Sequence, residues 1–353
     1  MKIGIITFHD TTNFGSLLQT YGLYKGIQRL GYNCEIIDYK CKAICDRELP
    51  RLRTVQHGLK AYVKHLLFDE KKAKYRELHR FLTLHMHLGP KCDVSNTFKL
   101  NDIYDKFVVG SDIVWGTDIT DCDTTYFLDF VNDDQKKFAF SSSVGNPWSS
   151  KEKSLLRPYL SSFSHIAVRE VEAADWVSEL TGVRPDVVCD PTMLLDAEEW
   201  RTIKSDRYSK DKYVLVYFDS PQNECLKAAI KYGQENRIKV YFINYGIPVR
   251  NTHTIRPYSL EDFLSLVYYA QRVFTASYHG MLFSIYFNKQ FLFFNRSHKS
   301  RMNTLAQKLN VIDCDGSNIE TNSLPIIDYR MVDELVESYR QSSYSILQQL
   351  LSK

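Results

Sequence analysis

Short apolar runs rich in β-branched and aromatic residues recur along this chain, each followed by a longer stretch of helical period, and this alternation confines the fold more than any other feature. Strands joined through helix-length connections pair in parallel, because a parallel neighbour is reached only by a crossover of a dozen or more residues. The runs "KIGIITF" (2–8), "CEIIDY" (34–39), "KFVVG" (106–110), "KFAFSSS" (137–143), "HIAVR" (165–169) and "DVVCD" (186–190) make one set, with helices at 14–30, 151–163 and 170–181. A second set follows in "YVLVYF" (213–218), "KVYFIN" (239–244), "RVFTAS" (272–277) and "FLFFN" (291–295), with helices at 221–236 and 259–270. The expected fold class is α/β, with two Rossmann-like lobes built on mainly parallel sheets. A chain of 353 residues is long enough to fill a core in each.

The first lobe is expected over 1–195, with a helical insertion at about 41–89 where no strand pattern occurs, and the second over 196–330. Asp196 followed by Glu199 reads as a helix cap at the boundary. The segment 331–353 has helical period, with Val332, Leu335, Val336 and Tyr339 on one face, and is expected to pack back on a lobe.

Composition excludes several classes of function. A net charge of +3 without basic runs argues against a nucleic-acid partner. No apolar run reaches the roughly 18 residues of a transmembrane segment, and "IGIITF" is too short for a signal core, so the protein reads as cytoplasmic or at most membrane-peripheral. Its 8 cysteines are dispersed and read as reduced thiols. Cys34, Cys41 and Cys45 with His57 match no common zinc spacing, and no metal site is expected.

In open α/β sheets ligands bind beyond the carboxyl ends of the strands, and here those ends are unusually polar. After the first strand, Asn13, Gly15 and Ser16 precede a helix whose first N–H groups suit an anion, unless Asn13 simply caps it. After "KFVVG" come Ser111, Asp112 and Trp115, readable as a general base with a stacking platform for a sugar, or as a capped loop with a core tryptophan. "SSSVGN" places Ser142 in a hydroxyl-rich strand end that lacks the G-x-S-x-G elbow of a serine hydrolase. Arg169 suits a bidentate grip on phosphate or carboxylate, or an ion pair with Glu170 or Glu172. In the second lobe, "TASYHG" sets Ser277, Tyr278 and His279 between a strand end and a new helix, where a histidine suits proton transfer and Gly280 permits close backbone approach. Beyond the next strand Arg296, Lys299 and Arg301 form a cationic cluster.

The order and spacing of "IGIITFHDTTNFGSLLQTYGL", "YDKFVVGSDIVW", "FSSSVG", "VREVEAADWVSELTG", "VVCDPTMLLDAEEW" and "FTASYHGMLFSIYFNKQF" resemble the polysaccharide pyruvyl transferase family from residue 1 to about residue 311. The resemblance implies a GT-B-like fold with an active site in the interlobe cleft. It also implies a transferase that moves the pyruvyl unit of phosphoenolpyruvate to a saccharide, commonly as a ketal across two hydroxyls, in cell-surface or exopolysaccharide biosynthesis. Phosphoenolpyruvate is then the donor substrate, no cofactor is needed, and the acceptor is a saccharide, lipid-linked ones included. The family's strand-end histidine and its "VRE" arginine match His279 and Arg169. With those roles carried over, His279 is the candidate acid and Asp112 the candidate base. Asn13, Gly15, Ser16, Arg169, Arg296, Lys299 and Arg301 are candidates for the anionic groups, Trp115 and Tyr278 for the sugar, and Ser111, Ser142 and Ser277 complete the set. Two other readings stay open. A GT-B glycosyltransferase using a nucleotide sugar would need the same two lobes, and a non-catalytic saccharide-binding relative would account for Ser277 where many members carry Arg.

Overall fold

A computed structural model describes residues 1–49, 70–218, 223–295, 300–318 and 324–352. The chain divides into two compact units, Met1–Leu195 with Tyr339–Lys353, and Asp196–Ser338.

The first unit runs β1 (Lys2–Ile6), α1 (Phe14–Arg29), β2 (Asn33–Tyr39), α2 (Lys42–Glu48), α3 (Glu70–His85), β3 (Leu88–Cys92) and β4 (Lys106–Val109). It continues with β5 (Lys137–Ser142), α4 (Ser150–Ser161), β6 (His165–Val168), α5 (Val171–Thr181) and β7 (Asp186–Val187). The seven strands form one parallel sheet in the order β3-β2-β1-β4-β5-β6-β7. Ile3, Ile5, Phe107, Val108 and Val109 are all 0% exposed, so side chains on both faces of the central strands are covered, as a parallel sheet requires. From β1 the chain steps outward to β3, then returns to the other side of β1 with β4. The β1/β4 boundary is therefore the topological switch point, where loops leaving in opposite directions open a crevice.

β3 is a strand that the sequence pattern conceals. "LGPKC" carries Gly89 and Pro90, both poor strand formers, and is tolerated because it lies at the sheet edge, where a missing N–H breaks no central ladder. The segment expected as a helical insertion thus contains the crossover from β2 to β3, with α3 a part of it.

The second unit comprises α6 (Ala197–Ile203), β8 (Tyr213–Tyr217), α7 (Asn223–Asn236), β9 (Lys239–Ile243), β10 (His253–Ile255) and α8 (Leu260–Tyr269). After these come β11 (Arg272–Thr275), α9 (Tyr278–Tyr286), β12 (Gln290–Phe293), α10 (Ser300–Lys308) and the start of α11 (Tyr329–Ser352). Its five strands, again all parallel, are ordered β10-β9-β8-β11-β12, which puts the switch point between β8 and β11. Asp196 and Glu199 close a reciprocal capping box at the start of α6.

The last turns of α11 belong to the first unit. There the hydroxyl of Ser343 accepts from the backbone N–H of Cys189 at 2.9 Å, and Lys106 Nζ donates to the carbonyl of Leu351 at 2.8 Å. Among the described residues no helix is long and apolar enough to cross a membrane.

Candidate functional site

In the first unit the β1/β4 boundary is flanked by the loop from Thr7 into α1 and by the turn after β4. Asn13 caps α1: its Oδ1 accepts from the backbone N–H of Gly15 at 2.8 Å and of Ser16 at 3.4 Å. Two of the first amides of the helix are therefore engaged by the protein's own side chain, which is the capping alternative read from the sequence. Ser16 turns to the opposite loop instead, its hydroxyl donating to Asp112 Oδ2 at 2.5 Å. Asp112 adopts φ 71°, a left-handed conformation that a short polar side chain tolerates best, and its Oδ1 accepts from the N–H of Ile113 at 2.8 Å. The structure thus brings two predicted residues, Ser16 and Asp112, into direct contact across the switch point.

The serines beside them are buried. Ser111 lies with its hydroxyl 3.4 Å from that of Ser141, and Ser142 donates to the carbonyl of Val109 at 3.1 Å. Ser143, whose N–H donates to the carbonyl of Asp112 at 3.0 Å, has a buried hydroxyl with no partner among the described residues.

Trp115 and Arg169 stand differently from the expectation. Trp115 is 0% exposed, stacks on Phe127 at 5.7 Å and 12°, meets Phe163 edge-on and donates Nε1–H to the carbonyl of Tyr126 at 2.9 Å. It is a core residue of the first unit, with no ring face open to a sugar. The Arg169 side chain is 1% exposed, and its Nε and Nη1 each donate at 2.8 Å, to Glu170 and Asp190 respectively. Its guanidinium is already matched by two carboxylates, so it serves as a buried tie between β6 and the 3₁₀ turn Pro191–Leu194 that Asp190 caps.

A second charged network, missed in the sequence, covers the ends of β1 and β2. Lys40 Nζ bonds Asp10 at 2.6 Å and Asp38 at 2.7 Å, His9 Nε2 lies 3.1 Å from Asp38, and His79 Nδ1 lies 3.1 Å from Asp10. Burial alone pushes the Asp38 carboxyl up, but the hydrogen bonds from His9 and Lys40 overcome it and hold the group well below the usual carboxylate range. Asp10 is likewise depressed, against the effect of its burial, by Lys40, His9 and His79. Burial pulls Lys40 down, and its bonds to both carboxylates more than reverse this.

In the second unit the β8/β11 switch point is built from the opening of α9. Thr275 donates its hydroxyl to the carbonyl of Tyr217 at 2.7 Å and accepts from the N–H of Ser277 at 3.1 Å, fixing the bend from strand to helix. Ser277 is the N-cap of α9, with no side-chain capping bond. Tyr278 and His279 follow with rings 5.5 Å apart at 88°, both largely buried. A Cβ on Gly280 would lie 2.3 Å from Thr275 Oγ1 and 2.9 Å from a ring carbon of Tyr217, so only glycine lets the first turn of α9 sit against the strand end. Arg301 lies on α10, while Arg296 and Lys299 fall outside the described residues. Among the described residues no group of three or more His, Cys, Asp or Glu side chains is disposed to hold a metal ion.

A protein-family model, Polysaccharide pyruvyl transferase, matches residues 13–298, from the cap of α1 through both switch points. The chain belongs to the polysaccharide pyruvyl transferase family. It is accordingly a transferase. No curated protein matches the sequence. Among solved structures, the UDP-GlcNAc 2-epimerase from Methanocaldococcus jannaschii is similar at 12% identity and a TM-score of 0.48 over 100% of both chains. The UDP-N-acetylglucosamine 2-epimerase from Rickettsia bellii gives 11% and 0.48 over 98% of this chain and 97% of that one. The E. coli ADP-heptose lps heptosyltransferase II gives 11% and 0.41 over 97% and 99%. Gln19 and Thr20, which the sequence reading passed over, had a readable signal: with Ser16 they are polar side chains at helical spacing on the buried part of α1.

Proposed function

We propose that this transferase moves the pyruvyl unit of phosphoenolpyruvate to a pair of saccharide hydroxyls, forming a ketal in the biosynthesis of a cell-surface or extracellular polysaccharide. The observation that carries the reading is the family match, which runs through both switch points and includes Asp112 and His279.

In the proposed reaction the methylene carbon of phosphoenolpyruvate takes a proton and becomes the methyl group. One sugar hydroxyl attacks the neighbouring carbon, the phosphate leaves, and the second hydroxyl closes the ketal. Of the two hydroxyl protons, one balances the proton gained by the methyl group and the other leaves with hydrogen phosphate. We assign the carbon protonation to His279 and the acceptance of a hydroxyl proton to Asp112. Ser16, which holds the Asp112 carboxylate, orients that base, and Tyr278 is the aromatic candidate for the sugar. Arg296, Lys299 and Arg301 are assigned to the donor's anionic groups, since Arg169 is matched by Glu170 and Asp190. The phosphate ester of the enol carries its own activation, so the reaction as written draws on no prosthetic group.

The test is thermal melting with phosphoenolpyruvate, inorganic phosphate and a panel of nucleotide sugars, together with phosphate release in wild type and His279→Ala. A ligand at 100 times its Kd stabilises the native state by about 2.7 kcal/mol. The expected result is a shift with phosphoenolpyruvate that exceeds the shift with phosphate and persists in His279→Ala, while phosphate release is lost. A shift confined to a nucleotide sugar, or release that survives the substitution, would overturn the reading.

A further inference from the structure

Gln19 has no part in the reaction drawn above. We infer that it is a positioning residue for Asp112, the side chain through which α1 holds the turn carrying the carboxylate; the catalytic half of this inference rests on the proposed reaction. Gln19 is fully buried and stands three residues after Ser16, on the same face of the helix. Its Oε1 accepts from the backbone N–H of Ser111 at 3.2 Å. Its Nε2 donates to the Thr7 hydroxyl at 3.0 Å and the Ser16 carbonyl at 2.7 Å, and lies 3.0 Å from the Thr20 hydroxyl. Thr7 in turn donates to the carbonyl of Ser111 at 3.1 Å.

Both backbone polar groups of Ser111 are therefore held, one by α1 and one by the end of β1, immediately before Asp112. The next residue, Asp112, takes φ 71°, a left-handed conformation that is uncommon outside glycine and is adopted mainly by Asn and Asp. An apolar side chain would fill the site of Gln19 equally well by volume, but would leave the Ser111 N–H buried and unpaired. Gln19 and Ser16 act on the two halves of one turn: the amide fixes its backbone and the hydroxyl fixes its carboxylate.

The experiment compares wild type, Gln19→Met, Asp112→Asn and the double variant. Amide hydrogen exchange is read at Ser111. Turnover is read as phosphate release from phosphoenolpyruvate with a panel of 4-nitrophenyl glycosides, keeping the glycoside that wild type uses fastest. In Gln19→Met, protection at Ser111 is expected to fall while that of the central β1 and β4 amides is kept. Its kcat is expected to drop about 10- to 100-fold with the KM for phosphoenolpyruvate unchanged, the effect of a displaced reacting group. In the Asp112→Asn background Gln19→Met should cost nothing further, because a residue that acts through another has no effect once that one is gone. Losses that multiply, or a Ser111 amide that stays protected, would overturn the inference. Thr7→Val, which removes the partner of both Gln19 and the Ser111 carbonyl, is the second variant if Gln19→Met does not fold, with the same expectations for kcat and the double variant. An Asp112→Asn protein with full turnover would overturn the base assignment and the catalytic half of the inference together. A wild type that releases no phosphate would overturn the proposed reaction, and exchange at Ser111 then decides whether Gln19 holds the turn.

Discussion

Replacing Asp190 by Asn tests whether Arg169 is a structural tie. The substitution keeps the shape of the side chain and the Oδ1 that accepts from Thr192 at 3.0 Å and 2.7 Å, but turns the Oδ2 facing Arg169 Nη1 into an amide. At 2.8 Å and an effective dielectric constant of about 20, the lost attraction is ~6 kcal/mol. The desolvation of two ions whose side chains are 1% and 0% exposed offsets part of this in the wild type. Removing the Asp190 charge leaves Arg169 with Glu170 as its remaining buried carboxylate, and the net loss on breaking a buried pair is about 3–5 kcal/mol, which is the upper bound here. For a unit of roughly 150–250 residues each kcal/mol moves the midpoint about 2–4 °C, so the first unit should melt lower, by at most about 6–20 °C. The assay is differential scanning calorimetry, with near-ultraviolet dichroism confirming the native fold at 20 °C. A triple variant, Arg169→Met with Glu170→Gln and Asp190→Asn, should recover much of the loss, since neutral groups of similar volume replace buried pairs at little cost. An Asp190→Asn midpoint within about 2 °C of wild type would refute the argument.

Gly280→Ala should destabilise the second unit by about 1–3 kcal/mol, the usual cost of overpacking, although alanine is the better helix former by about 1 kcal/mol. Thr275 cannot swing away from the new methyl without dropping its bonds to Tyr217 and Ser277, and a calorimetric midpoint at or above wild type would contradict this. The network of Asp10, Asp38 and Lys40 should shape the pH dependence of stability. The two depressed carboxyls contribute fully above the ordinary aspartate value of 3.8 and lose their contribution as pH falls through their folded values. Lys40, raised above its ordinary 10.5, contributes fully below that pH and loses its contribution as pH rises through its folded value. Urea midpoints of wild type and Asp38→Asn should differ by a constant amount between about pH 5 and 9 and converge in acid; a gap that stays constant down to pH 2 would exclude the mechanism.

Most strands were readable because a strand buried on both faces must be apolar along its length, as "KFVV" and "YVLVY" are. The edge strands β3 and β10 escaped the reading because an edge needs neither continuous apolar character nor a full ladder, so "LGPKC" and "HTI" carry residues that look like loop. The candidate site shows the same division. Asp112, Ser16 and His279 became candidates because they follow strands in chain order, and position after a strand is a local property. The fate of Trp115 and Arg169 was not local: each had an open and a buried reading, and the choice depended on Phe127 and Phe163 in one case and on Asp190 in the other.

By itself the sequence determined the α/β class, the succession of the central strands and the helices between them, the capping of α1 and α6 and the family, because these rest on periodicity, neighbouring side chains and motif order along the chain. Only the tertiary structure decided which polar side chains face one another across a switch point. That the hydroxyl of Ser16 meets Asp112, that Gln19 takes the amide of Ser111, and that Arg169 is balanced by Asp190 all depend on strands far apart in sequence becoming neighbours. The free energy of a buried polar group depends on whether that neighbour completes its hydrogen bonds, and no local pattern encodes it.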